Sequence, residues 1–159
     1  AITNPTALDN ISCKECPITL SREKAEKFIE LLNKKTQKEY RLPTKEEWYW
    51  FATGGVETTD IERGKNDTKR KNILEYAWCE SNSDDSRQEV GLKETNELGL
   101  YDVWGNVSEL TTTNAVGGAY QTKKKKMNKN TYTYSFYWDN EEDEGSTMGI
   151  RLVFTAEKK

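Results

Sequence analysis

The stretch Asn96-Glu97-Leu98-Gly99-Leu100-Tyr101-Asp102-Val103-Trp104-Gly105-Asn106-Val107-Ser108-Glu109 decides the fold. Its glycines cut it into pieces too short for a helix, so it reads as short strands and turns. The same texture extends in both directions. Glu75 to Trp78, Val90 to Leu92, Gly99 to Val103 and Val116 to Tyr120 are predicted as short strand or turn pieces. Further on, Thr131 to Trp138 alternates, with Tyr132, Tyr134, Phe136 and Trp138 on one side. A last strand, Ile150 to Phe154, places Ile150, Leu152 and Phe154 on one face.

Upstream the periodicity is helical. Ser21 is placed to cap a helix through Lys35, whose Ala25, Phe28, Ile29 and Leu32 form one apolar stripe. Glu23 in its first turn and Lys34 and Lys35 in its last suit the helix dipole. A shorter helix follows Leu42-Pro43-Thr44, where Thr44 and Glu47 make a capping box and Pro43 can staple against Trp48. Trp48, Phe51 and Ala52 share its face, and Gly54-Gly55 stops it. Residues 56 to 72 are polar and read as a long mobile loop. Helices first and short irregular strands after predict an α+β class. We read 1–159 as a single domain, with 1–18 an irregular lead-in.

Of the 159 residues, 34% are hydrophobic and 32% charged, a balance that alone would point to disorder. Five Trp, eight Tyr and four Phe offset it, because aromatic rings bury large areas. The absence of histidine excludes Ser-His-Asp and Cys-His catalysis and every His-ligated metal site. A net charge of -3 denies the chain a global footprint for nucleic acid. The runs Lys123 to Lys126 and Glu141 to Glu144 are expected to be solvated loops that could face each other across a hairpin. No apolar run is long enough to span a membrane. The N-terminus has no basic region followed by an apolar stretch, so no signal peptide is expected in this chain, and secretion stays open.

Cys13-Lys14-Glu15-Cys16 has redox or zinc-knuckle spacing, yet only Cys79 remains as a further thiol, so a zinc site would be incomplete without a carboxylate. Pro17 follows directly, where a thioredoxin-like motif would open a helix. Free thiols or one incidental disulfide are the expectation.

An ordered series of segments resembles the formylglycine-generating enzyme (sulfatase-modifying factor) family, whose fold is C-type-lectin-like. The series runs Tyr40-Arg41-Leu42-Pro43-Thr44 with Glu47-Trp48, then Gly54-Gly55, Asn96 to Asp102 and Gly105-Asn106-Val107-Ser108-Glu109. Gly117-Gly118-Ala119-Tyr120 and Gly149-Ile150-Arg151-Leu152-Val153 complete it. Together they span about residues 17 to 154. The family's oxidase members carry a copper-binding cysteine pair where this chain has Gln121 to Met127, which holds lysines instead. Lysine cannot supply thiolate chemistry. Ser108 and Leu110 stand where the family usually has tryptophans, and the family's N-terminal portion is short or missing. The resemblance thus implies a member that has lost catalysis. The alternatives are a copper-dependent oxidase acting on a sulfatase cysteine, with Cys79 as its buried thiol, or a structural subunit of a secretion or surface complex.

The resemblance also implies a structural calcium ion. By position its ligands would be the side chains of Asp102 and Glu109 and the carbonyls of Gly105 and Val107. A hard cation favours oxygen ligands, and Gly105 permits the tight turn. Chelation by EDTA would then lower the melting temperature.

In non-catalytic proteins of this fold the segment before the final Gly-x-Arg strand displays a variable ligand surface, here residues 120 to 148. Some members are diversified by retroelements that convert Asn codons, and the run from Asn128 to Asn140 has a compatible composition. Lys129 and Trp138 cannot arise that way. Asn128, Asn130, Tyr132, Tyr134, Tyr137, Trp138, Asp139 and Asn140 are the candidate ligand-binding residues, Tyr- and Asn-rich as antibody paratopes are. For Tyr132, Tyr134, Phe136 and Trp138 a core strand face is the favoured reading, since aromatics at period two usually mean burial. The expected partner is a protein or glycan, at an extracytoplasmic, cell or virion surface. Single-stranded nucleic acid is disfavoured, since stacking platforms need a longer basic groove.

Overall fold

The computed structural model describes residues 13–55, 73–126, 132–133 and 148–154. Helix α1, Arg22–Thr36, starts where Ser21 accepts the Lys24 backbone N–H and stops at Gln37 in the left-handed conformation. Ala25 is fully buried and Ile29 packs inward, but Phe28 is exposed, so the stripe is narrower than its spacing implied. Asn33 ties the helix to strand β1, Tyr40–Arg41: its side chain donates to the Tyr40 carbonyl (2.8 Å) and accepts the Tyr40 N–H (2.7 Å).

Helix α2, Lys45–Ala52, carries the predicted capping box, with Thr44 and Glu47 exchanging side-chain-to-backbone hydrogen bonds. Arg41 grips the same Glu47 with two bonds of 2.7 Å. Trp48, Phe51 and Ala52 are its buried face, as expected.

The strands are short and widely dispersed. β2, Ala77–Trp78, pairs in parallel with β3, Trp104–Gly105. β4, Ser108–Leu110, is central to the largest sheet. It runs antiparallel to β5, Ala115–Val116, with Glu109 opposite Val116, and parallel to β7, Met148–Gly149, with Glu109 opposite Gly149. β6, Tyr132–Thr133, adds outside β5. β8, Val153–Phe154, closes antiparallel onto β1.

Two of the pieces read as strand or turn are not strands, and one strand expectation needs correction. Gly99 to Val103 is irregular and bent, with Gly99 (φ 72°) and Asp102 (φ 51°) both in left-handed backbone that interrupts extended pairing. Val90 to Leu92 is a turn around Gly91, with both apolar side chains exposed. The final strand is shorter than expected, Val153–Phe154 only, and its single face is not kept: Ile150 and Leu152 pack in one cluster, Val153 in the other, and Phe154 is exposed. The expectations for 56 to 72, for 134 to 147 and for the acidic run lie outside the described residues.

One core cluster holds Trp48, Phe51, Ala77, Cys79, Val103, Trp104 and Val116, and a smaller one Ala25, Leu42, Leu110 and Ala115. Trp48 and Trp104 meet edge to face, centroids 5.4 Å apart, a geometry that adds about 1 kcal/mol beyond area burial. Two glycines let backbone approach this core. Gly105 (φ 79°) lies against the Trp78 carbonyl, and Gly117 (φ 89°) against the Val103 carbonyl and the Trp48 ring. A side chain at either position would collide with backbone as well as strain it.

Candidate functional site

The glycine-rich stretch builds two buried polar centres. The first is an ion pair. Glu109, on the central strand β4, is only 5% exposed. Its Oε1 accepts from Arg151 Nε (2.9 Å) and Nη2 (2.7 Å), and its Oε2 from Arg151 Nε (3.0 Å) and Trp48 Nε1 (2.7 Å). Arg151 Nη2 also donates to the Tyr101 carbonyl. Burial works against the Arg151 charge, but attraction and hydrogen bonds from Glu109, with the more distant charge of Asp102, outweigh it and raise its pKa. The two-pronged grip joins helix α2, strand β4 and the C-terminal segment at one point.

The second centre is Asn106, fully buried and left-handed (φ 57°), a conformation asparagine tolerates better than most residues. Its Oδ1 accepts the Gln88 N–H and its Nδ2 donates to the Gln88 carbonyl, both at 3.0 Å. Its own N–H donates to Trp78, and its carbonyl accepts from Tyr120. Ser83 Oγ donates to the Tyr120 carbonyl in addition. Asn106 therefore fixes both the loop near residue 88 and Tyr120, where the segment expected to display a ligand surface begins.

The four residues expected to hold calcium are drawn into this region unequally. Val107 is buried with its side chain over Gly149, and Gly105 donates its N–H to Gly117. Glu109 is saturated by donors and charge-neutralised by a guanidinium, so a cation could use it only by displacing Arg151. In this arrangement the Glu109 carboxylate does not fit a calcium ligand. Asp102 is half-buried; its Oδ2 accepts the Gly91 N–H (2.7 Å), while its buried Oδ1 has no partner among the described residues. Burial raises the Asp102 pKa, opposed by the Gly91 bond and the charges of Arg151 and Lys93. Among the described residues no three His, Cys, Asp or Glu side chains converge as a metal-binding group.

Cys13 and Cys16 form a disulfide, and Cys79 is a fully buried free thiol. Lys123 to Lys126 are exposed, the last three in a 3-10 turn, as a solvated basic run should be. Tyr132 is described only as backbone of β6. Asn128, Asn130, Tyr134, Tyr137, Trp138, Asp139 and Asn140 lie outside the described residues. No described helix is long and apolar enough to cross a membrane.

Sequence reading missed Asn106 as a hub and Arg151 as the partner of Glu109. A signal existed for Arg151: a charge set between Ile150 and Leu152, both apolar, usually means a buried counter-charge.

Residues 13–156 match the sulfatase-modifying factor enzyme 1-like domain, and the chain belongs to that family. Its fold is accordingly the α+β, formylglycine-generating-enzyme-like one. Among solved structures it is similar to PvdO from Pseudomonas aeruginosa, at 19% identity and a TM-score of 0.53, over 69% of this chain and 52% of that one. Weaker likenesses are to Treponema denticola variable protein 1 (27% identity, TM-score 0.39, 54% of this chain and 38% of that one) and to CarF (29%, 0.42, 53% and 37%). The chain thus spans about half the length of PvdO and less of the other two. No curated protein matches it.

Proposed function

We propose that this domain is a non-catalytic binding module that presents residues 120 to 148 to a protein or glycan. One observation carries the reading. Where the family's oxidases place a cysteine pair, Gln121 and Lys123 to Lys126 are exposed polar side chains. The other two cysteines are joined to each other, and the thiol of Cys79 is fully buried. No free thiol is thereby available at the family's reaction position, and lysine cannot bind Cu(I) in its place.

A binding role also accounts for the rigidity at the start of the segment. Asn106 and Ser83 hold both backbone groups of Tyr120, so an ordering cost that a binder would meet on association is met in folding. Asn128, Asn130, Tyr132, Tyr134, Tyr137, Trp138, Asp139 and Asn140 are the proposed contact residues, offering rigid amphipathic rings beside adaptable amides. The disulfide supports an extracytoplasmic or surface setting, where such bonds persist.

The test has two arms. Incubation with copper, oxygen and a Cys-x-Pro-x-Arg peptide should leave the peptide cysteine unchanged by mass, and conversion to formylglycine would overturn the proposal. Immobilised protein screened against glycans and surface proteins should find a ligand whose binding falls at least about tenfold on Tyr137→Ala with Asn140→Ala. Failure of that pair to weaken any interaction found would place the binding surface elsewhere.

A further inference from the structure

The Cys13–Cys16 bridge lies in neither the proposed contact segment nor the two core clusters. It closes a loop across only Lys14 and Glu15, both exposed. A loop so short confines the unfolded chain very little, so chain entropy does little to hold the bridge shut. Around it the backbone is stitched to the loop near residue 88. Glu15 accepts the Val90 N–H (3.0 Å), and Arg87 Nη1 reaches the Pro17 carbonyl and Thr19 Oγ1, both at 3.3 Å. That loop is in turn held by the buried Asn106.

Cys16 Sγ lies 3.3 Å from the Arg87 carbonyl oxygen, at hydrogen-bonding distance for sulfur. A disulfide sulfur carries no proton, so in the bridged form this is a close approach and nothing more. Once reduced, the Cys16 thiol sits ready to donate to that carbonyl. The surroundings thus offer the dithiol a hydrogen bond that the disulfide cannot make. A protein that stabilises its reduced form makes its disulfide easier to reduce.

We propose that Cys13–Cys16 is a reversible thiol-exchange site for a low-molecular-weight thiol, coupled to the 87–90 loop. Attack is assigned to Cys13 Sγ, because it leaves Cys16 as the thiol whose hydrogen bond the Arg87 carbonyl can accept. The reductant sulfur bonds to Cys13, the Cys13–Cys16 bond breaks, and its electron pair leaves on Cys16, which takes a proton from water and, as a thiol, donates a hydrogen bond to the Arg87 carbonyl. A second thiol attacks the mixed disulfide and releases Cys13. Two thiols become one external disulfide as the protein gains two electrons and two protons.

The experiment treats the full chain with excess reduced glutathione, alkylates it without denaturant, and maps the label by mass. Cys13 and Cys16 should both be labelled while buried Cys79 is not, and oxidised glutathione should restore the bridge. Hydrogen exchange at the Val90 amide should quicken by about tenfold on reduction, as its bond to Glu15 loosens. A bridge that opens only in denaturant would overturn the proposal, and reduction with Val90 exchange unchanged would overturn its coupling. Cys13→Ser with Cys16→Ser should stay folded and show the faster Val90 exchange already. A double variant that unfolds would show the bridge to be structural and also overturn it.

Discussion

Replacing Arg151 by methionine tests the centre of the fold. The substitution keeps most of the aliphatic stem but removes the guanidinium from a carboxylate that is 5% exposed. Glu109 then keeps the Trp48 N–H alone of its present side-chain donors. Breaking a buried pair from one side costs about 3–5 kcal/mol. Arg151 retains 28% of its side-chain surface, so some water reaches the site and we take the low end, ~3 kcal/mol. For a domain of this size that lowers the melting temperature by about 6–12 °C. Urea titration of wild type, Arg151→Met, Glu109→Gln and the double variant gives the coupling directly. The double variant should be more stable than Arg151→Met, because it no longer buries an unpaired charge. A loss below about 1 kcal/mol in Arg151→Met, the value of an exposed pair, would refute the reasoning.

Asn106→Ala removes both hydrogen bonds to Gln88 and should cost about 2–4 kcal/mol, read from the denaturant midpoint, with exchange at Gln88 accelerated. Asp102→Asn should be neutral or stabilising near pH 7. The raised Asp102 pKa gives stability that is complete below its unfolded value and lost as pH rises through the folded one, and the amide can still accept from Gly91. With Glu109 held by Arg151, the same thermal scans with EDTA should show no shift, and a fall reversed by Ca²⁺ would place a metal at Asp102. Glu47, held at about 2 by Arg41 and then by the Thr44 N–H, gives stability present above 4.5 and lost as pH falls toward 2. The group is 40% exposed, so the contribution is at most about 1 kcal/mol, and Glu47→Gln should flatten that part of the pH profile.

Local chemistry was legible in the sequence wherever neighbours along the chain decide it. Ser21 and Thr44 cap their helices as their side chains require, and Trp48, Phe51 and Ala52 bury the face their spacing draws. The ordered glycine motifs pointed to the family because at Gly105 and Gly117 a side chain would meet the Trp78 and Val103 carbonyls as well as positive φ. Strand limits were not legible. A two-residue strand has no period to read, and its extent is set by a partner far along the chain, as Gly149 sets that of Glu109.

What the sequence by itself determined was therefore the class: two capped helices, a glycine-cut run of strands, aromatic burial in place of an aliphatic core, and no histidine chemistry. Tertiary structure alone decided the use of its polar residues. Asp102 and Glu109 are both acidic oxygens in one motif, and nothing local tells a metal ligand from an ion-pair partner. Arg151, 42 residues beyond Glu109, supplies the ion pair by arriving from the segment between β7 and β8. Asn106 likewise becomes a hub only because folding brings Gln88 and Tyr120 to it, and a buried amide must find partners for every polar atom it carries.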